Sequence, residues 1–162
     1  MITMGIDQSY NSTGCVIIQN DQIIFDECIT IGNNKETDVF DRSYILANYL
    51  KDITEKFKPT NVIIEGLAFG IRGDATRDLA GLQFMIINSI RHCNHPISPL
   101  IVAPMSLKKF STGSGRSDKK EMFNHLPEHI KKYFKEIKKY KVSKGLFDMV
   151  DAYWLAKFTK DL

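Results

Sequence analysis

Long apolar runs are missing from this chain of 162 residues. No stretch approaches the roughly 18–20 apolar residues that a membrane-spanning helix needs, so no membrane role is expected. The first residues also lack the basic and small-residue features of a secretory leader, and the expected compartment is the cytoplasm. Cysteine is scarce. Cys15, Cys28 and Cys93 are odd in number, and their spacing fits no zinc pattern. A disulfide framework is therefore excluded as the organising device, and reduced, buried thiols are expected. No Pro- or Gly-rich linker and no internal repeat divides the chain, so residues 1–162 read as one domain. Basic residues are sparse in the first half only. Residues 1–81 hold 7 Lys and Arg against 12 Asp and Glu, whereas residues 82–162 hold 15 against 7. Between Lys131 and Lys144 the chain has seven lysines and a single acid, Glu136. Such a basic segment suits a polyanion such as nucleic acid, or else forms a solvated face.

What is present is a clear alternation of patterns. Ile2–Asp7, Gly14–Gln19 and Gln22–Ile31 are apolar runs separated by a polar turn at Ser9–Thr13 and by Asn20-Asp21, which predicts an antiparallel three-stranded meander. From Val39 the period becomes helical, with Val39, Leu46, Leu50, Ile53 and Phe57 on one stripe and Pro59 just past its end. Asn61–Glu65 reads as a buried strand, and residues 74–93 as a second long helix with Leu79, Leu82, Met85, Ile86 and Ile90 on one face. Ser98–Val102 is another strand, and after Pro104 the chain turns mainly helical, ending in a helix that includes Asp148 to Phe158. The order β-β-β-α-β-α-β-α predicts a mixed α/β sheet flanked by helices.

Four acids stand out against apolar surroundings. Asp7 closes the run Met4-Gly5-Ile6, and Glu65 closes Val62-Ile63-Ile64. A carboxylate at the end of a buried strand is costly unless it is paired or binds a metal. Asp148 and Asp151 are three apart on a helix whose neighbours Phe147, Met149, Val150 and Ala152 are apolar. That spacing places their Cβ atoms about 5–6 Å apart on one face, where a divalent cation would relieve their repulsion. Hard oxygen ligands of this kind hold Mg²⁺, with Mn²⁺ as a substitute, and two such ions can serve phosphodiester hydrolysis. Capping, an ion pair or a solvated helix face would each explain one acid singly, but not all four together.

These residues, taken in order, resemble the RuvC-like Holliday-junction resolvases, a family of the RNase H-like superfamily. Met4-Gly5-Ile6-Asp7 with Thr13-Gly14 is similar to that family's first strand and hairpin, and Val62-Ile63-Ile64-Glu65 to its second catalytic strand. Arg77-Asp78-Leu79-Ala80-Gly81-Leu82 resembles the start of the helix that packs the family's dimer. Ala103-Pro104 to Lys108 and Gly113-Ser114-Gly115 to Lys119 resemble the lysine-bearing segment, and Asp148-Met149-Val150-Asp151-Ala152 the closing D-x-x-D-A pattern. The resemblance implies an RNase H-like fold, with a five-stranded mixed sheet whose first three strands are antiparallel. It implies that Asp7, Glu65, Asp148 and Asp151 bind two Mg²⁺ ions, with Lys108 and Lys119 stabilising charge at the scissile phosphate. It also implies a homodimer acting on four-way junctions and flaps, with the stripe from Leu79 to Ile90 as the expected interface. Where bacterial members commonly have Pro-Gly after the first Asp, this chain has Gln8-Ser9. Such compact, divergent versions are typical of phages.

Phe69, shortly after Glu65, is the candidate aromatic at the opened junction centre. Arg72, Arg77, Lys109, Arg116 and Lys120 are candidate DNA contacts, together with Lys131, Lys132, Lys135, Lys138 and Lys139. Three other readings compete. A nuclease of the same fold acting on RNA or RNA/DNA hybrid would share the acids. A non-catalytic DNA-binding module would gain nothing from acids facing phosphate. An actin- or sugar-kinase-type ATP-binding domain would need a second domain and a second Asp-Gly loop. His125 and His129 lack an HExxH frame, so zinc is not expected there, and Gly113-Ser114-Gly115 lacks the rest of a P-loop.

Overall fold

The computed structural model describes residues 1–32, 38–67 and 73–158. Strands β1 (Ile2–Asp7), β2 (Thr13–Gln19) and β3 (Gln22–Ile29) form the expected meander, with β1–β2 and β2–β3 antiparallel. Asn20 and Asp21 have φ of 49° and 64°, the paired left-handed conformation that a tight two-residue hairpin requires. The third strand stops at Ile29, two residues earlier than its apolar run suggested. Helix α1 (Val39–Phe57) starts at Asp38, whose carboxylate accepts from the Phe40 and Asp41 amides. It ends at Lys58, with φ 48°, followed by Pro59. Strand β4 (Asn61–Glu65), helix α2 (Asp74–Arg91) and strand β5 (Leu100–Val102) follow.

The sheet order is β3-β2-β1-β4-β5, with β1–β4 and β4–β5 parallel. Thr3 pairs with Asn61 and Ile6 with Ile64, so the last residues of β1 and β4, Asp7 and Glu65, finish side by side. One face of the sheet packs through Met4, Ile6 and Ile64 against Leu46 and Leu50 of α1 and against Leu82, Ile86 and Ile90 of α2. The expected interface stripe is thus mostly internal. Leu82, Ile86 and Ile90 have no exposed surface, and Phe84 is the large apolar residue that α2 turns to solvent. Leu82, Ile86 and Ile90 are needed for the core on this face of the sheet, whereas Leu79 and Met85 of the same stripe stay partly exposed.

The other face is covered by the helical second half. The region after Pro104 resolves into α3 (Pro104–Thr112), α4 (Lys119–Asn124), α5 (Glu128–Lys132), a π-helical turn (Tyr133–Ile137) and α6 (Leu146–Lys157). Helix α6 lies close on β1 and β2 because those strands carry glycines under it. A methyl group at Gly5 would overlap the Ala152 carbonyl oxygen, and one at Gly14 the Asp148 carbonyl oxygen. The approach sets Asp148 and Asp151 across the strand ends that carry Asp7 and Glu65. The Trp154 indole N–H donates to the Met122 carbonyl at 3.1 Å and fixes α4 on α6. All three cysteines are free, but only Cys15 is fully buried, with Cys28 and Cys93 partly exposed. Among the described residues, no helix is long and apolar enough to cross a membrane.

Candidate active site

Asp7, Glu65 and Asp151 converge from β1, β4 and α6. Each offers a carboxylate oxygen, and these oxygens lie within 4.8 Å of one another. Asp7 is 7% exposed and Asp151 3%. Burial and the neighbouring Asp151 and Glu65 charges hold the Asp7 carboxyl well above its ordinary range. Burial and Asp151 push Glu65 up to about 7. Burial also raises Asp151, although Lys119 opposes it. The Lys119 ammonium sits 3.1 Å from Asp151 Oδ2. Burial works against that charge, but Asp151 and Asp7 outweigh it and keep the lysine protonated. Lys119 opens α4, where Asp118 and Glu121 form a reciprocal capping box at 2.7 and 3.0 Å that fixes the turn bearing it. Lys108 of α3 lines the same cleft as Glu65, Lys119 and Asp151, and its charge favours ionised Glu65 and Asp151.

The donor set fits a divalent cation. Two buried carboxylates and a half-buried one whose repulsion favours protonation are the environment in which a hard cation displaces protons. Asp151 Oδ1 is buried with no hydrogen-bond partner in an otherwise paired group, which is the chemistry a cation ligand offers. Asp148 stands apart from the trio. It lies one helical turn before Asp151 and accepts a hydrogen bond from Ser12 Oγ, so the three oxygens that lie together are those of Asp7, Glu65 and Asp151.

The candidate DNA contacts are scattered over the surface. Phe69 and Arg72 lie outside the described residues. Arg77 is exposed and pairs with Asp74 and Asp78 at the start of α2. Lys109 and Arg116 border an open depression with Ser106 and the Gly113–Gly115 turn, while Lys120 is exposed on α4. The lysine-rich segment is not one free helix face. Lys131 pairs with Glu128, Lys135 lies over the Phe123 ring, and Lys132 and Lys139 are exposed. Lys138 is committed to Asp26 at 3.0 Å, and Tyr133 and Tyr140 donate to the same carboxylate at 2.6 and 2.9 Å. A carboxylate buried on the edge strand needs those partners, so it folds the basic segment back onto β3. Sequence reasoning missed Asp26, Ser12 and Gln8. Asp26 was visible as an acid inside an apolar strand, whereas nothing local marks Ser12 or Gln8.

No family model matches the chain. It is 30% identical over 124 residues to the crossover junction endodeoxyribonuclease RuvC of Prochlorococcus marinus subsp. pastoris, spanning 75% of this chain and 77% of that protein. The chain belongs to the RuvC family. As a member of that family it is an endonuclease, and the ATP-binding and purely DNA-binding readings fall away. Solved members share its fold. Thermus thermophilus RuvC superposes with a TM-score of 0.67 at 15% identity over 96% of this chain and 91% of that one. The same protein in complex with a Holliday junction substrate gives 0.71 at 16% identity over 96% and 90%. The yeast mitochondrial Holliday junction resolvase Ydc2 gives 0.63 at 17% identity over 95% and 75%. The architecture is therefore the RNase H-like one of RuvC, with the acidic cluster at the carboxyl ends of its central strands.

Proposed function

We propose that this endonuclease resolves four-way DNA junctions and related branched DNA by Mg²⁺-dependent phosphodiester hydrolysis. The observation that carries the reading is the clustered trio Asp7, Glu65 and Asp151, with Asp151 Oδ1 unpaired and Lys119 alongside. These three would hold one ion, and Asp148, released from Ser12, would help to hold a second. Metal bound there would supply an activated water and charge neutralisation at the phosphate oxygens. Lys119 favours the ionised form of Asp151 against its burial and, with Lys108, would place fixed positive charge where a phosphorane develops negative charge. The capping box on α4 sets the Lys119 backbone before substrate arrives, so little reorganisation is needed during the reaction. The exposed lysines and arginines of the second half would then follow the DNA backbone.

Two symmetric cuts require two such sites, and a two-fold homodimer supplies them. With Leu82, Ile86 and Ile90 occupied in the core, the exposed Phe84 and the partly exposed Leu79 and Met85 of α2, with Phe40 and Tyr44 of α1, would be available for that contact. The junctions arise where DNA is recombined, and in a bacterial cell, or a host cell if the chain is phage-encoded, that would be the cytoplasm. The test is cleavage of four-way junctions, flaps, linear duplex and RNA/DNA hybrid with and without Mg²⁺. Paired nicks in the junction are expected only with the metal. Asp7→Asn should abolish cutting and keep junction binding, because it removes a ligand and a negative charge near phosphate. Wild-type cutting by Asp7→Asn, or cleavage confined to the hybrid, would refute the proposal.

A further inference from the structure

Gln8 follows Asp7 and is 8% exposed, yet neither its Oε1 nor its Nε2 has a hydrogen-bond partner. A buried amide with both ends unpaired calls for an explanation. The segment that carries it is not loose. The Ser9 amide N–H donates to Thr13 Oγ1 at 3.1 Å, and the Thr13 hydroxyl donates to the Ser9 carbonyl at 2.8 Å. The Tyr10 hydroxyl donates to the Asp78 carbonyl at 3.0 Å, and Arg42 donates to the Tyr10 carbonyl at 2.5 Å, which ties the turn to both α1 and α2. Gln8 is therefore held in place with its amide unsatisfied.

Gln8 lines a cleft of about 270 Å³ that also reaches Glu65 and Asp151. Leu67, Leu79, Pro104 and Met122 form its apolar walls, and Lys108 and Lys119 add two positive charges. The cleft lies just below the roughly 300–1,000 Å³ of small-molecule sites, which suits one ring system. From this arrangement we infer that Gln8 reads the nucleobase next to the scissile phosphate, making it a specificity-determining residue of the cutting site. The inference rests on the junction-cutting reading above. Three ligands can be weighed against the amide. A phosphate offers acceptors alone, so it would satisfy Nε2 and strand Oε1. A cation would take Oε1 and strand Nε2. A base edge presents a donor and an acceptor side by side and satisfies both, as when Gln pairs with adenine N6 and N7. The flat faces of a base also suit the apolar walls of Leu67, Leu79, Pro104 and Met122. A base must leave its stack to enter, which costs least where the duplex is already interrupted, as at a branch point.

The test is cleavage of a library of four-way junctions randomised at the base pairs flanking the cut, with Mg²⁺ present and products sequenced. Wild type is compared with Gln8→Leu and Gln8→Met, which keep the side chain's size and remove its hydrogen bonds. Wild type should favour one base at one flanking position by about 5- to 150-fold, the range for a bidentate contact. Both variants should lose that preference. In an Asp7→Asn background, which binds without cutting, the affinity gap between favoured and unfavoured junctions should close in the same way. Gln8→Leu should melt no lower than wild type, because it replaces an unpaired amide by an apolar group. A wild type without base preference overturns the inference, and so do variants that keep the wild-type profile or slow all sequences equally. A clear drop in melting temperature would make the amide structural and also overturn it. A wild type that cuts no branched DNA would instead overturn the junction reading itself.

Discussion

Without metal, the acidic cluster should oppose folding at neutral pH, and Glu65→Gln should reveal by how much. Glu65 moves from an ordinary 4.5 to about 7, chiefly through burial and then through Asp151. The folded protein therefore binds the Glu65 proton more tightly than the unfolded chain does. Between pH 4.5 and 7 stability must fall as pH rises, level off above 7, and owe nothing to this group below 4.5. A shift of that size corresponds to about 3 kcal/mol, an upper limit because Glu65 is partly exposed and lies near Lys119 and Lys108. For a chain of this length each kcal/mol moves the melting temperature by about 2–4 °C, so the full effect is about 6–12 °C. Asp7 and Asp151 are raised as well and act in the same direction. The assay is calorimetry in EDTA at several pH values from 5 to 8. Wild type should melt progressively lower toward pH 8, and Glu65→Gln should show a shallower trend and a higher melting point at pH 8. Added Mg²⁺ should raise wild type most at pH 8, where it competes with fewer protons, and the variant less. A flat wild-type trend in EDTA, or a variant less stable than wild type at pH 8, would refute this account of the site.

Gly14→Ala should destabilise by about 3 kcal/mol in urea melts and weaken Mg²⁺ binding, because the new methyl meets the α6 backbone at Asp148. Lys138→Met should cost about 2–3 kcal/mol by leaving the Asp26 carboxylate, 2% exposed, without its cation. Adding Asp26→Asn should restore most of that loss, and a double-mutant cycle measures the coupling. Replacing Lys131, Lys135 and Lys139 together by Ala should reduce the slope of log affinity against log salt by up to about 2.7. Cut-site preference should stay the same, since lysine meets phosphate as a point charge. An unchanged slope would show that these side chains do not reach DNA.

Much of the architecture was already written along the chain. The apolar runs ending at Asp7 and Glu65 announced two strands that deliver carboxylates, and the stripe from Val39 to Phe57 announced α1. These are local properties, since burial on a sheet or a helix imposes a period of 2 or 3.6 on neighbouring residues. Three acids of the cluster were legible because a charge inside an apolar run is locally anomalous. What tertiary structure alone decided was which polar groups meet. The register that seats Ile6 beside Ile64 brings Asp7 and Glu65 together, and the glycines under α6 let Asp151 join them. Ser12 claims Asp148 from 136 residues away, and Asp26 claims Lys138 from the far side of the sequence. Helix α2 carried the apolar stripe that the sequence shows, but only its packing on α1 and the sheet could say that the stripe faces inward. A periodic pattern says that a face is buried, not what buries it. A polar side chain has no period at all, so its partner is set by the long-range register of the fold, and so is its lack of one, as at Gln8.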